Sequence, residues 1–258
     1  MKRDILVALY SEDPYVLDWM SLLVVRDWRT RVITAASQLS ELSELFQGSN
    51  ILCDAMVIDL DNCSNLKQIG KFLSDSTKTI KVLGLTRKQN PEFFKVLPEE
   101  VIYGLLYKQE IEDSLGWAIS FAFDNTPVYT AIALDDAWKV NFFVPKNRLV
   151  LKSRNYPGLT DRQSAIAKLA IIYSITRRDL ADELKISDQW SYGVVSELYN
   201  NLGLGDILDK NQNFESILES DKVIKNHIDG ILEDLGDSKK ARDLETLAFH
   251  LLTMPVIE

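Results

Sequence analysis

The sequence predicts two domains: an α/β domain with a doubly wound parallel sheet, then an all-α domain. The first observation is that residues 1–125 alternate short apolar runs with amphipathic segments, a pattern typical of parallel β/α units. The second is that residues 158–258 carry helix caps and helical apolar spacing instead of such runs. The third is length, because 258 residues are sufficient for two hydrophobic cores.

Five short runs rich in Val, Ile and Leu predict the strands of a five-stranded parallel sheet, because strands covered on both faces are apolar throughout. These runs are Ile5–Tyr10, Val32–Ala36, Ala55–Leu60, Ile80–Leu85 and Ile102–Tyr107. The amphipathic segments between and after them predict helices over Tyr15–Arg26, Leu39–Phe46, Leu66–Leu73, Glu92–Leu97 and Glu110–Phe123.

The pattern changes between residues 126 and 157, where polarity is mixed and three prolines occur. Two short β-like runs, Val128–Leu134 and Leu149–Leu151, lie in this stretch. We interpret 126–157 as a connector with local structure, because it is too apolar for a simple flexible linker.

The remaining residues, 158–258, predict a helical domain. Thr160, Thr176 and Ser187 each precede an amphipathic segment and fit the N-cap position, and Gly203 fits a helix stop after Leu202. Further helices are expected over Phe214–Ile217, Lys222–Leu235 and Lys239–Leu252.

The formal net charge of −9 excludes a strongly basic surface over the chain as a whole. Residues 158–258 hold 11 basic and 18 acidic side chains, whereas 126–157 hold 5 basic and 2 acidic ones. No apolar run approaches the length of a membrane span, so we expect a cytoplasmic protein that does not bind membranes. Its cysteines, Cys53 and Cys63, are expected to be reduced thiols.

Polar residues follow the predicted strands, and in a parallel sheet they meet at one edge. The first strand is followed by Ser11-Glu12-Asp13, and the third, fourth and fifth end at Asp59, Thr86 and Lys108. Carboxylates, a hydroxyl and an ammonium are the groups that hold Mg²⁺ and stabilise a transferred phosphoryl group. The edge therefore predicts phosphoryl chemistry.

These residues resemble the receiver domain of two-component response regulators, over about 1–125. The run Asp54-x-x-x-x-Asp59 matches the third strand of that family, and the gap from Thr86 to Lys108 has the usual length. The resemblance implies that Asp59 is the phosphoacceptor, that Thr86 is the switch hydroxyl and that Lys108 pairs with the phosphoryl group. It also implies Mg²⁺ as a cofactor, with a ligand set of Glu12, Asp13, Asp59 and Asp61.

Three positions depart from the family pattern. Alignment on Pro14 places Ser11 where the family has its first acidic residue, and the segment after Asp59 is Leu60 and then Asp61-Asn62-Cys63-Ser64 instead of the usual Met-Pro-Gly turn. Leu105 occupies the position of the switch aromatic. A receiver-shaped domain kept only for dimerisation or docking is therefore an alternative.

Residues from Leu159 onward resemble the LuxR-type helix-turn-helix. The matching residues are Leu159, Thr160, Arg162, Gln163, Ala181, Leu184, Ile186 and Ser187. Two segments, 190–203 and 223–236, could each be the recognition helix, since both follow a Ser-Asp pair and end in Leu-Gly. The first has the expected position, and the second has the family's typical residues. A duplication, an insertion or a coincidence would each explain the pair.

Phosphate contacts require Lys or Arg, and the first segment has neither from Ser187 to Leu204. The residues predicted to contact DNA are Arg177, Arg178, Lys222, Lys225, Asn226, His227 and Lys239. A solvated helix face is the alternative for Lys225 and His227. The apolar stripe of the final helix predicts either a homodimer interface or packing within the domain.

The sequence thus predicts an atypical response regulator, a non-enzymatic DNA-binding protein whose activity is controlled by phosphorylation or is independent of it. The resemblance implies a sensor histidine kinase as partner. One alternative is a signalling adaptor that acts through protein contacts and does not bind DNA. A Mg²⁺-dependent hydrolase is a weaker third possibility, because no second acid–base group accompanies Asp59.

Overall fold

The computed structural model describes residues 4–47, 53–64, 66–75, 80–99, 101–156, 158–204, 221–235 and 241–258. The chain folds into two compact units. The α/β unit contains 2–25, 29–153 and 255–258, and the helical unit contains 26–28 and 154–254. Residues 126–153, predicted to be part of a connector, therefore belong to the α/β unit.

The predicted α/β fold with a parallel sheet is confirmed. Its first five strands are β1 (Ile5–Tyr10), β2 (Thr30–Ala36), β3 (Ala55–Asp59), β4 (Lys81–Thr86) and β5 (Ile102–Tyr107). They pair in parallel in the order β2-β1-β3-β4-β5, so the strand order reverses beside β1. The β3 strand is buried at every position, which explains its uninterrupted apolar sequence.

The sheet continues beyond the five predicted strands. Parallel strands β6 (Val128–Tyr129) and β7 (Leu149–Lys152) follow β5, and β8 (Val256–Ile257) closes the order as an antiparallel strand. Gly104 makes this extension possible, because a Cβ there would collide with the carbonyl oxygen of Val128. The described residues thus form a sheet of eight strands, three more than the predicted five-stranded sheet.

The run Val128–Leu134 was predicted to be β-like, and this is correct only for its first two residues. Helix α7 (Ala131–Lys139) begins after Thr130. Short apolar runs do not distinguish a strand from a buried helix, and the burial of Ala133, Leu134 and Ala137 shows why this one is apolar.

The other helices of the α/β unit lie close to their predicted positions. They are α1 (Pro14–Arg26), α2 (Leu39–Gln47), α3 (Leu66–Asp75), α4 (Glu92–Val96), α5 (Lys108–Ile111) and α6 (Leu115–Phe123). The segment predicted as one helix from Glu110 to Phe123 is divided, because Glu112 has a positive φ of 42° that ends α5. Helix α6 is buried along almost its whole length.

The helical unit begins with α8 (Asp161–Ala167), which continues into a π-helical turn over Lys168–Ile172. Thr160 caps α8 as predicted, and Gln163 completes a reciprocal capping box. The remaining described helices are α9 (Arg177–Leu184), α10 (Asp188–Asn201), α11 (Lys222–Leu235) and α12 (Ala241–Thr253). The helix expected over Phe214–Ile217 lies outside the described residues.

The apolar stripe of α12 packs inside the helical unit. Leu247, Ala248 and Leu251 are each at most 2% exposed, which agrees with core packing, the second of the two roles predicted for this stripe. No described helix is long and apolar enough to cross a membrane.

Candidate functional site

The carboxyl ends of four parallel strands bring their polar residues together, as the sequence predicts. Ser11 directly follows β1, Asp59 and Thr86 are the last residues of β3 and β4, and Lys108 directly follows β5. Ser11, Asp59 and Thr86 are fully buried, and Lys108 is 7% exposed. By contrast, Asp54 precedes β3, and its carboxylate accepts the backbone N–H of Leu6 at 2.9 Å.

The carboxylate of Asp59 accepts four hydrogen bonds. Its Oδ1 accepts the ammonium of Lys108 at 2.6 Å and the backbone N–H of Asp61 at 3.2 Å. Its Oδ2 accepts the hydroxyl of Ser11 at 2.8 Å and the side-chain amide of Asn62 at 3.0 Å. The buried charge of Asp59 is therefore balanced by one cation and three neutral donors.

The ammonium of Lys108 also contacts Asp61, at 2.8 Å from Oδ2. Asp61 accepts further bonds from the Thr86 hydroxyl at 2.8 Å and from the backbone N–H of Arg87 at 2.9 Å. Burial acts to raise the pKa of Asp61, but the hydrogen bonds from Lys108, Arg87 and Thr86 outweigh it and lower the pKa below its ordinary value. Asp61 is therefore held as a carboxylate within the cluster.

The loop after β4 is attached to this cluster through Thr86. The Thr86 hydroxyl accepts the backbone N–H of Lys88 at 2.9 Å while it donates to Asp61. Lys88 itself donates from its ammonium to the backbone carbonyl of Asp61 at 3.2 Å. Thr86 thus lies at the end of β4, where its hydroxyl can donate to Asp61 or to the backbone carbonyl of Lys88.

The other two predicted Mg²⁺ ligands point elsewhere. Glu12 Oε1 accepts the hydroxyl of Tyr10 at 3.0 Å and both the backbone N–H and the hydroxyl of Ser64, at 2.9 and 3.0 Å. Burial acts to raise the pKa of Glu12, and these bonds outweigh it so that the pKa is lowered. Asp13 caps the first turn of α1 by accepting the backbone N–H of Tyr15 at 2.9 Å.

The residues at this edge consequently do not fit a Mg²⁺ ion. Among the described residues, which include Glu12, Asp13, Asp59 and Asp61, no group of three or more His, Cys, Asp or Glu side chains is arranged to hold a metal. Ser11 donates to Asp59, and the ammonium of Lys108 contacts both Asp59 and Asp61. Magnesium coordination requires available oxygen ligands, and both oxygens of Asp59 and of Asp61 are engaged with protein donors.

Tyr107 forms a buried link that the sequence analysis missed. Its hydroxyl lies 2.7 Å from Asp136 Oδ2 on α7 and 2.9 Å from the backbone carbonyl of Lys88. Asp136 is fully buried and also pairs with the ammonium of Lys139 at 2.7 Å. Tyr107 therefore joins the loop after Thr86 to α7. This contact could not be predicted from the sequence without knowing that α7 packs beside Tyr107.

Cys63 lies beside the cluster, in the loop after β3. Its thiol donates to the backbone carbonyl of Asp59 at 2.8 Å. Burial, followed by the nearby charges of Asp59, Glu12 and Asp61, raises the pKa of the Cys63 thiol to about 12. Cys63 and Cys53 are both free thiols.

In the helical unit, α9 and α10 form a helix-turn-helix pair. Lys185, with φ of 55°, ends α9, and Ser187 caps α10 by accepting the backbone N–H of Trp190. The turn between the helices therefore contains only three residues, as this motif requires. Gly203, with φ of 77°, ends α10 where the sequence predicts a stop, and Leu204 N–H donates to the carbonyl of Tyr199 in a Schellman arrangement.

The exposed face of α10 is aromatic and carries no cation. Trp190 is 69% exposed and Tyr192 is 63% exposed, so neither is part of the core. The buried face consists of Ser191, Val195 and Leu198. The predicted cations Arg177 and Arg178 begin the preceding helix, where Arg177 is half-buried and Arg178 is exposed.

Helix α11 carries the other residues predicted to contact DNA. Lys222 and Asn226 are exposed, whereas Lys225 and His227 are half-buried. The ammonium of Lys225 lies 3.8 Å from Asp229 one turn later, in a solvent-screened pair. Lys239 lies outside the described residues.

The caps distinguish the two similar helices. Asp221 caps α11 by accepting the backbone N–H groups of Val223 and Ile224, whereas the residue that caps α10 is Ser187 rather than Asp188. The two caps are therefore displaced by one residue when the Ser-Asp pairs are aligned. Asp221 consequently has a capping role in α11 that belongs to Ser187, not to Asp188, in α10.

Comparisons with known proteins give matches only among solved structures. No protein-family model matches the chain, and no curated protein sequence matches it. The RcsB response regulator of Salmonella typhimurium is 14% identical, with 80% of this chain and 99% of that chain covered and a TM-score of 0.44. An RcsB–DNA complex is 14% identical, with coverage of 79% and 93% and a TM-score of 0.47. The response regulator ChrA, from a haem-sensing two-component system, is 21% identical, with coverage of 78% and 91% and a TM-score of 0.39.

Proposed function

We propose that this chain is an atypical response regulator, in which the α/β unit receives a signal and the helical unit binds DNA. The observation that carries the proposal is the convergence of Asp59, Thr86 and Lys108 at the ends of β3, β4 and β5. These are the phosphoacceptor, switch hydroxyl and lysine of the receiver resemblance, and a helix-turn-helix pair follows in the same chain.

DNA binding would rest on few cations. The predicted DNA contacts among the described basic residues are Arg177 and Arg178 on α9 and Lys222 and Lys225 on α11, all exposed or half-buried. Each phosphate contact adds affinity that falls as salt rises, so a chain with few such cations should bind duplex DNA weakly, with a shallow salt dependence that reflects the small number of contacts. The proposal includes a sensor histidine kinase upstream and a homodimeric state, both implied by the resemblance.

The test is binding of the full chain to a pool of duplex DNA across a salt series, with Lys225→Glu and Arg178→Glu compared with the wild type. We expect affinity to fall with salt and each variant to reduce both affinity and the slope of that dependence. Lys146→Glu, an exposed charge reversal in the α/β unit, is the matched control. Equal binding by all four proteins would contradict the assignment of Lys225 and Arg178 to the DNA contact, and no binding at low salt would contradict a DNA-binding function.

A second function, a signalling adaptor that does not bind DNA, is favoured by the exposed face of α10. Trp190 and Tyr192 lie on the second helix of the helix-turn-helix pair, with no Lys or Arg between Ser187 and Leu204. Exposed aromatic side chains are enriched at protein interfaces, whereas phosphate contacts require cations. Under this alternative, DNA binding is absent at physiological salt, and Trp190→Ala reduces self-association measured by sedimentation velocity.

A further inference from the structure

The hydrogen-bonding capacity of Asp59 is fully used. An ionised carboxylate has about four acceptor positions on its two oxygens. Lys108 Nζ and Asp61 N–H occupy those of Oδ1, and Ser11 Oγ and Asn62 Nδ2 occupy those of Oδ2. Since Asp59 is also fully buried, neither oxygen is available to a metal ion or to phosphorus in this arrangement.

The neighbouring carboxylate is engaged in the same way. Asp61 accepts bonds from Lys108, Thr86 and Arg87, with contacts on both of its oxygens. The ammonium of Lys108 lies within 2.8 Å of both carboxylates and is only 6% exposed in its side chain. The ammonium of Lys108 therefore bridges the two carboxylates.

We propose that Lys108 is the resident cation of this site, so the cluster is complete without a divalent metal and Asp59 acts as a structural carboxylate rather than as a phosphoacceptor. Ser11 contributes by donating to Asp59 from the position where an acidic residue would otherwise coordinate a metal. The inference rests on the proposed function and narrows it, because signals would then reach the α/β unit by a route other than Mg²⁺-dependent phosphorylation.

The direct test is calorimetric titration of the full chain with MgCl₂ and MnCl₂. The wild type is expected to give the same weak, non-saturating signal as Asp59→Asn, because the acidic surface attracts cations in both proteins. A saturable site in the wild type that is lost in Asp59→Asn would overturn the proposal. Incubation with acetyl phosphate and Mg²⁺, followed by mass spectrometry, should add no phosphoryl group to Asp59, and such an adduct would also overturn it.

Two variants test whether Lys108 and Ser11 are the groups that exclude Mg²⁺. Lys108→Ala removes the resident cation, and Ser11→Asp adds a carboxylate beside Asp59, so each should show the saturable Mg²⁺ binding that the wild type lacks. Far-UV circular dichroism first establishes whether each variant folds. One folded variant is sufficient for the Mg²⁺ titration. A folded variant with unchanged Mg²⁺ affinity would contradict the assignment of Lys108 or Ser11 as the excluding group.

This outcome is separable from that of the DNA-binding test. A chain that binds neither DNA nor Mg²⁺ would overturn the proposed function and leave the resident-cation inference standing. A chain that binds DNA and also binds Mg²⁺ at Asp59 would support the proposed function and overturn the resident-cation inference.

Discussion

The ammonium of Lys108 lies 2.6 Å from Oδ1 of Asp59, and the two side chains are only 6% and 0% exposed. Buried ion pairs of this kind are costly to break, because removal of one partner leaves the other charge in a medium that solvates it poorly. The stability of the α/β unit should therefore depend on this contact more than on any surface ion pair.

Replacement of Lys108 by Ala should lower the free energy of unfolding by about 3–5 kcal/mol. Urea denaturation followed by circular dichroism measures this change. Lys95→Ala is the matched control, because Lys95 pairs with Glu92 but both side chains are more than half exposed, and its loss should be about 1 kcal/mol or less. Equal effects of the two substitutions would contradict the buried-pair interpretation.

Acid should destabilise the chain through Asp61. Its pKa is lower in the folded protein than in the unfolded chain, so its contribution to stability is present above the unfolded pKa and is lost as pH falls through the folded pKa. The unfolded value is about 3.9, so the loss should occur below about pH 4. Denaturation at a series of pH values should show a smaller decrease over this range for Asp61→Asn, and identical pH profiles would exclude Asp61 as the cause.

The Cys63 thiol should resist alkylation while the protein is folded. A pKa raised to about 12 reduces the thiolate fraction at pH 8 by about a thousandfold relative to an ordinary cysteine. Iodoacetamide labelling followed by peptide mass spectrometry measures the rate, with the same chain in urea as reference. Labelling of folded Cys63 at the rate of the unfolded chain would contradict the predicted protection.

Gly193 should be replaceable by Ala with a gain in stability of about 1 kcal/mol, because it lies inside α10 and an added Cβ would meet no atom within 4 Å. Gly70→Ala in α3 is the control, since its Cβ would collide with the carbonyl of Val96 and the substitution should destabilise the protein. If Gly193→Ala also weakens DNA binding or self-association, the binding partner must approach the α10 backbone closely at Gly193. Destabilisation by Gly193→Ala would contradict the open environment.

Removal of the Tyr107 hydroxyl should leave the buried Asp136 with one donor fewer. Tyr107→Phe is expected to cost about 1–3 kcal/mol, measured by urea denaturation. In a double-mutant cycle with Asp136→Ala, which removes the acceptor, the two losses should not add, because the residues share one contact. Additive losses would mean that this contact contributes nothing to stability.

The sequence predicts the strand ends well because burial leaves few alternatives there. Strands β1, β3, β4 and β5 are apolar along their lengths, so the polar residues that follow them are conspicuous and their shared edge follows from parallel pairing. The convergence of Asp59, Thr86 and Lys108 could therefore be predicted without coordinates.

The partners of those residues could not be predicted, because they depend on side-chain direction within loops. Glu12 follows β1 as expected, but Tyr10 and Ser64 hold its carboxylate away from Asp59. Ser11 was noted only as a departure from the acidic pattern, although its hydroxyl contacts Asp59 directly. Likewise, α7 could not be predicted, because the apolar run at its start has a length that suits a strand as well as a helix.

The pairing of β7 with β8 has a consequence for how this chain folds. Strand β8 lies roughly a hundred residues after β7, with 154–254 inserted between them. During synthesis, the edge of β7 therefore stays open until the entire helical unit has been translated, and an open edge can pair with other chains. A fragment cut between the two units would keep that edge unprotected, so the α/β unit is a discontinuous folding unit that ordinary domain dissection would leave incomplete.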